Sequence, residues 1–224
     1  MLKSVSLPQT AASGDLAQVL DLFLHELRTP VGVAQGYLRL LVENRLSDPA
    51  DRERALAQSL EALGRIGRLC TTAGDYLSPP PVVLELYPAA DLVEALPLAC
   101  QGDPFAINVP MSPLIGDIRS LPAEPTAAAI AAVVRAALRN DPALTQVVQI
   151  GVHETDLVFT TGDSVVRGRL LGSDERGVFD PWRGGSGLQV PLALQRLAPT
   201  HLRLWTLADR ASAVAIAMPL ELPA

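Results

Sequence analysis

Apolar residues recur along residues 16–41 at alternating spacings of three and four, which is typical of a helix with one long apolar stripe. Residues 44–49 interrupt this pattern. Asp48 followed by Pro49 is a favourable N-cap and first-turn pair, so a second helix is predicted to begin there. The first stripe consists of Leu16, Leu20, Phe23, Leu27, Pro30 or Val31, Ala34, Leu38 and Leu41.

The second helix repeats the same spacing and is predicted to pack antiparallel to the first as a hairpin. One hairpin buries only one face of each helix, and apolar stripes of this length would leave a large patch in water. We therefore expect residues 15–78 to form a homodimeric four-helix bundle. The second stripe is Arg52, Leu56, Ser59, Leu63, Ile66, Cys70, Ala73 and Leu77.

The pattern changes on both sides of the hairpin. Residues 1–14 are small and polar, which predicts a flexible N-terminal segment. Three prolines at positions 79–81 predict a domain boundary, and residues 82–224 predict an α/β domain. The fold class is therefore α plus α/β. Helices are expected at 89–99, 127–139 and 188–197, and strands at 82–86, 147–152, 157–161, 202–207 and 213–218.

Composition narrows the choice of partners. The net charge is −6 and Lys3 is the only lysine, so a nucleic-acid-binding surface is not expected. No apolar run reaches the roughly 20 residues that cross a bilayer, and no signal-peptide pattern is present. Cys70 and Cys100 have no Cys or His at the spacing of metal ligands, so we expect two buried thiols and no metal site. Together these features predict a cytoplasmic protein without membrane insertion.

The candidate reactive group is His25, in the segment His25-Glu26-Leu27-Arg28-Thr29-Pro30. His25 lies two residues from the stripe residues on either side, which rotates it by about 200° and points it outward. Glu26 and Thr29 can share its patch, and Pro30 removes a backbone donor and bends the helix. A lone histidine on a helix is usually only solvated, but an imidazole beside a carboxylate suits phosphoryl transfer onto nitrogen.

This segment, set in a dimerising hairpin before an α/β domain, resembles the phosphoacceptor box of two-component sensor histidine kinases. The resemblance implies that His25 carries the phosphoryl group and that Glu26 assists the transfer. It also implies that Glu26 and Thr29 position a water for dephosphorylating a response regulator.

The α/β region is similar to the ATP-binding domain of those kinases, but most residues that hold the nucleotide are replaced. With Arg135 and Ala136 aligned on the asparagine-alanine pair of the asparagine box, Ala131 and Arg135 replace both asparagines, and Asn140 is out of register. Asp163 matches the aspartate that accepts from adenine. It is followed by Ser164-Val165-Val166-Arg167, where the family has glycines that let the backbone approach the nucleotide.

Two later segments keep more of the family pattern. Residues 179–184 resemble the phenylalanine box, and residues 185–190 resemble the second glycine box with Gln189 in place of a glycine. Gly185 and Gly187 could still cradle a phosphate, and with Asp163 they form the candidate vestigial nucleotide site, although a plain turn explains the same glycines. The short stretch between Arg167 and Phe179 leaves little chain for a lid over ATP.

The leading hypothesis is a histidine phosphotransferase that exchanges a phosphoryl group between His25 and aspartates of response-regulator receiver domains, with no cofactor expected. Such relay proteins, with a degenerate ATP domain, are a known variant of the family. One alternative is a sensor histidine kinase with an unorthodox nucleotide site, which would need ATP and magnesium. Another is a non-catalytic adaptor that binds a response regulator. Whether the protein is an enzyme stays open at this point.

Overall fold

The computed structural model describes residues 13–110, 114–139, 141–172, 176–182 and 187–221, with side chains from residue 16 onward. Most of the segment predicted to be flexible, residues 1–14, lies outside this range, but Ser13 and Gly14 already belong to the first helix. Contacts divide the chain into two compact units, with the boundary in the sequence between Pro80 and Pro81.

The first unit is a hairpin of two long helices, α1 (Ser13–Val42) and α2 (Pro49–Leu77). Asp48 caps α2 as its sequence predicts, because its carboxylate accepts a 2.9 Å hydrogen bond from the Ala50 amide. At the other end, the Ser78 amide donates to the Gly74 carbonyl at 2.8 Å. The predicted helical hairpin is therefore confirmed.

The predicted stripes divide between two faces of the hairpin. The inner face carries small side chains that let the helices approach closely, and several large apolar residues of the stripes are instead exposed. The buried positions are Val19, Pro30 and Ala34 on α1 and Ala55, Ser59, Ala62, Ala73 and Tyr76 on α2. Exposed stripe residues include Leu16, Leu20, Leu38, Leu56, Leu63 and Leu77. The expectation that Cys70 is buried is wrong, since it lies on the exposed side.

The second unit contains a mixed sheet and four further α-helices within the described ranges. The helices are α3 (Ala89–Ala99), α4 (Ala123–Arg139), α5 (Ser164–Gly172) and α6 (Gln189–Leu197), with a short 3₁₀ turn at Ala198–Thr200. The strands are β1 (Glu85–Pro88), β2 (Ala106–Asn108), β3 (Asp117–Ser120), β4 (Val147–His153), β5 (Asp156–Thr161), β6 (Arg176–Gly177), β7 (Arg203–Leu207) and β8 (Val214–Glu221).

Six strands follow the order β1-β3-β8-β5-β4-β2. Outside this order, β7 pairs with β8, and β6 pairs with β7. The predicted hairpin of β4 and β5 pairs Val148 with Thr161 through to His153 with Asp156. All pairs are antiparallel except that of β2 with β4. The sequence pattern did not predict β2, β3, β6 or α5.

Both faces of the sheet are covered. Alternate residues such as Leu157 and Phe159 on β5 face the main core with α3, α4 and α6, whereas Val158 faces a smaller core containing Leu170 of α5 and Trp205. The predicted α/β domain is confirmed, and it forms a sandwich of helices and sheet. In the part of the chain that the structure describes, we find no helix with both the length and the hydropathy to cross a membrane.

Asp141, just after α4, forms a hydrogen bond and an ion pair with the turn between β7 and β8. Its carboxylate accepts from the Ser212 hydroxyl at 2.8 Å and from the amides of Ala143 and Leu144 at 3.1 and 3.2 Å, and it lies 3.3 Å from the Arg210 guanidinium. The Ser212 hydrogen bond, helped by Arg210 and the two amides, lowers the pKa of Asp141 below its ordinary 3.8, against a smaller opposing effect of burial.

We expect acid to weaken this link. Because the folded pKa of Asp141 is depressed, its contribution to stability is present above the unfolded value of 3.8 and is lost as the pH falls through the folded pKa. Asp141→Asn should therefore lose less unfolding free energy than wild type between pH 5 and pH 3. Urea unfolding followed by fluorescence measures this, since both tryptophans lie in the α/β unit. Glu154→Gln, at an exposed turn, is the control, and identical pH profiles for wild type and Asp141→Asn would contradict the argument.

Candidate functional site

His25, Glu26 and Thr29 occupy one turn of α1. His25 and Thr29 are exposed, whereas Glu26 is half-buried toward the groove between the two helices. At 100° per residue, Thr29 is rotated only about 40° from His25, so both project from the same side of the helix. The structure thus presents the imidazole and the hydroxyl to solvent with the carboxylate at the edge of the same surface.

The neighbouring faces of α1 have different roles. Pro30 and Ala34 are buried against α2, and Leu20 and Leu24 form an exposed apolar strip on the side away from Thr29. Pro30 lies inside the helix, where its ring leaves the carbonyl one turn earlier without its usual amide donor. His25 is therefore fixed by a packed helix while its own ring stays accessible.

Arg135, at the position aligned with an asparagine of the asparagine box, forms an ion pair within the fold. Its Nε donates to both carboxylate oxygens of Asp103, at 2.7 and 3.0 Å, and its Nη2 donates to the Ala99 carbonyl at the end of α3. The two charged side chains are 32 % and 17 % exposed. Arg135 therefore links α4 to the loop after α3. Ala131 is fully buried in the core.

Asp163, at the position of the adenine-binding aspartate, caps α5. Its Oδ1 accepts from the amides of Val165 and Val166 at 3.0 and 2.9 Å, and its carbonyl accepts from the Arg167 amide. This is the geometry of a helix N-cap. Where the family has glycines that leave room for a nucleotide, this chain has the first turn of a helix.

The side chains of that turn lie against neighbouring glycines. A methyl group on Gly162 would come within 2.9 Å of Val166, and one on Gly151 would overlap the Arg167 guanidinium. Gly162 also has a φ of +99°, which side chains rarely adopt. Glycine at these positions therefore accommodates α5 and Arg167.

A cavity of about 220 Å³ remains beside the phenylalanine-box segment. It is smaller than the roughly 300–1,000 Å³ typical of sites for small organic ligands. Asp141 and Asp209 in its wall are bound to Ser212 and to Arg169, respectively. Its other walls are Ala136, Ala137, Phe179, Asp180, Arg210, Ala211 and Ser212.

The glycine-rich turn is only partly described. Gly187, two residues before the start of α6, has a φ of +62°, as a tight turn requires, while Gly185 and the out-of-register Asn140 lie outside the described residues. Among the residues that the structure describes, no group of three or more His, Cys, Asp or Glu side chains could hold a metal ion. Sequence reasoning missed Asp103 and Asp141 because their partners are distant in the chain.

We expect Arg135→Ala to destabilise the α/β unit by about 1–3 kcal/mol, because it leaves Asp103 mostly buried without its partner. Arg139→Ala, at an exposed position in the last turn of the same helix, should change stability by less than about 0.5 kcal/mol. Urea unfolding monitored by tryptophan fluorescence compares the two. Equal costs would show that the Arg135 ion pair does not hold α4 in place.

Comparison with known proteins gives the fold a family context. No protein-family model and no curated protein sequence match the chain. Among solved structures, the histidine kinase AdeS of Acinetobacter baumannii matches with a TM-score of 0.52 and 13% sequence identity, over 88% of this chain and 98% of that one. A histidine kinase from Burkholderia phymatum STM815 also matches, over 90% of this chain and 98% of that one, at 12% identity. Its TM-score of 0.35 is too low to support an argument. The chain therefore has a histidine kinase-like fold, and the resemblance inferred from its sequence is confirmed at the level of the fold.

Proposed function

We propose that this protein is a two-component phosphotransfer protein that carries a phosphoryl group on His25 and exchanges it with aspartates of response-regulator receiver domains. A likeness of fold does not separate a relay protein from a kinase. The observation that carries the proposal is the contrast between the two units. His25 is exposed beside Glu26 and Thr29, whereas Arg135 and Asp163 are used for structural contacts.

The proposed reaction transfers a phosphoryl group from a carboxylate to a nitrogen. A ring nitrogen of neutral His25 attacks phosphorus, an N–P bond forms, and the P–O bond to the receiver aspartate breaks, which releases that aspartate as a carboxylate. The proton on the other ring nitrogen passes to Glu26 or to water. The reverse sequence delivers the phosphoryl group to a second receiver. In this scheme the α/β unit is a scaffold and a docking surface.

The proposal also includes a homodimer. Leu20 and Leu24 on α1 are 54 % and 48 % exposed, and Leu56 and Leu63 on α2 are 50 % and 49 % exposed. Because the helices are antiparallel, helical geometry places these two strips on the same side of the hairpin. A contiguous apolar strip of this kind suits a second hairpin, which would complete a four-helix bundle.

ATP-dependent autophosphorylation is the second candidate. The cavity beside Phe179 and the left-handed turn at Gly187 favour it, since they involve the segments that resemble the phenylalanine box and the second glycine box. The capped turn of α5 at Asp163 opposes it, because it fills the space that the family's glycines leave open.

We expect His25 to be labelled by a phosphorylated receiver domain and not by labelled ATP with magnesium. His25→Gln should abolish the transfer, because the amide side chain has no nucleophilic nitrogen at neutral pH. His153→Gln, at the end of β4, should transfer as wild type does.

Labelling of His25 by ATP would establish the kinase instead. If receivers bind but no cognate receiver transfers label, the adaptor hypothesis replaces the relay.

The dimer is tested separately. Leu63→Glu should convert a dimer into a monomer, because a carboxylate within the apolar strip would have to be desolvated in the interface. Leu98→Glu is the matched control, since Leu98 is a 74 % exposed leucine of the α/β unit. Light scattering gives the mass of each. A wild-type monomer at micromolar concentration, or a dimeric Leu63→Glu, would refute the proposed interface.

A further inference from the structure

Two arginines of α2 lie at the same height along the hairpin as His25. His25 precedes the end of α1 at Val42 by 17 residues, and Arg65 and Arg68 follow the start of α2 at Pro49 by 16 and 19 residues. At 1.5 Å per residue, all three lie between about 24 and 29 Å from the connection between the helices. The arginines are therefore beside the turn of α1 that carries His25, Glu26 and Thr29.

They also lie on the same side of the hairpin as His25. Helical periodicity places Arg65 and Arg68 on the flank of α2 away from Leu56 and Leu63, just as His25 lies on the flank of α1 away from Leu20. The leucine flanks of the two antiparallel helices coincide, so the opposite flanks coincide as well. His25 and the two arginines share the polar side of the hairpin.

Neither arginine is used by the fold. Within the described ranges, Arg65 and Arg68 form no ion pair and no side-chain hydrogen bond, and both are exposed. Glu61, one turn before Arg65, instead accepts from the Gln58 amide at 3.4 Å. By contrast, Arg54 on the same helix pairs with Asp51 at 3.1 Å. The two guanidinium groups are thus available to a partner.

We propose that Arg65 and Arg68 bind the phosphoryl oxygens and carboxylates of a partner's phosphoaspartate site as it reaches His25. This inference rests on the proposed phosphotransfer function. Guanidinium groups form paired, charge-assisted hydrogen bonds with phosphate and carboxylate oxygens, and phosphoryl transfer depends on neutralising that charge. They hold the phosphorus within reach of the ring nitrogen and stabilise the leaving carboxylate. Neither acts as the nucleophile.

The net charge of the chain makes such a local attraction necessary. At −6, the protein as a whole repels an acidic partner, so encounter depends on where positive charge is concentrated. Attraction between exposed charges weakens with salt, because the screening length falls to about 8 Å at physiological ionic strength. Transfer through the arginines should therefore be slower at high salt.

The test is the double variant Arg65→Gln/Arg68→Gln in the full chain. We expect the rate of transfer from a phosphorylated receiver to His25 to fall by at least about tenfold and to lose most of its salt dependence. The variant Arg65→Lys/Arg68→Lys should recover part of the rate, since it keeps the positive charge but not the paired donors of the planar guanidinium group. Arg54→Gln, which removes an exposed arginine near the hairpin connection, should transfer like wild type. Circular dichroism checks that all variants fold.

Phosphorylation of His25 by inorganic phosphoramidate, which needs no partner protein, separates the possible failures. If no receiver transfers label but phosphoramidate labels wild type about tenfold faster than the double variant, the relay function fails and the anion site stands. If receiver and phosphoramidate reactions proceed equally in both proteins, the relay stands and the anion site is refuted.

Discussion

His25 is both accessible and held by a packed helix, as the proposed exchange of a group with a partner protein requires, and this combination depends on how the sides of α1 are used. One side of the helix packs against small residues of α2 such as Ala62, which allows close approach of the two backbones. A second side carries exposed leucines. The third side presents His25. Its backbone is held because Pro30, just over one turn further along the same helix, is buried. Since a helix offers only these sides, moving any one set of residues by a single position would disturb the others.

The α/β unit uses for structural contacts two positions that resemble nucleotide-binding positions of the histidine kinases. Asp163 still accepts two hydrogen bonds, but from the amides of α5. Arg135 still carries a polar group at its helix position, but that group binds Asp103. The core continues across both faces of the sheet, so burial of apolar side chains stabilises the unit on both sides.

The sequence predicted those features that depend on local patterns. The alternating spacing of apolar residues located both long helices, and Asp48 with Pro49 located the start of α2 within a residue. It did not predict α5, because a helix of 9 residues with little amphipathic pattern was interpreted as a damaged glycine loop. Nor did it predict how the stripes divide between two faces, because a spacing of three and four allows both a buried inner face and an exposed outer one.

The placement of positive charge follows from the same division between the units. In the described part of the α/β unit, most arginines are bound, as in the pairs of Arg119 with Glu221 and Arg169 with Asp209 and the stacking of Arg176 on Trp205. A guanidinium already satisfied by a carboxylate contributes little field at the surface. The unpaired charge therefore remains largely on the hairpin, where Arg65 and Arg68 flank His25. Under the proposed function, an acidic chain can in this way attract an acidic partner at one place, the surface around His25.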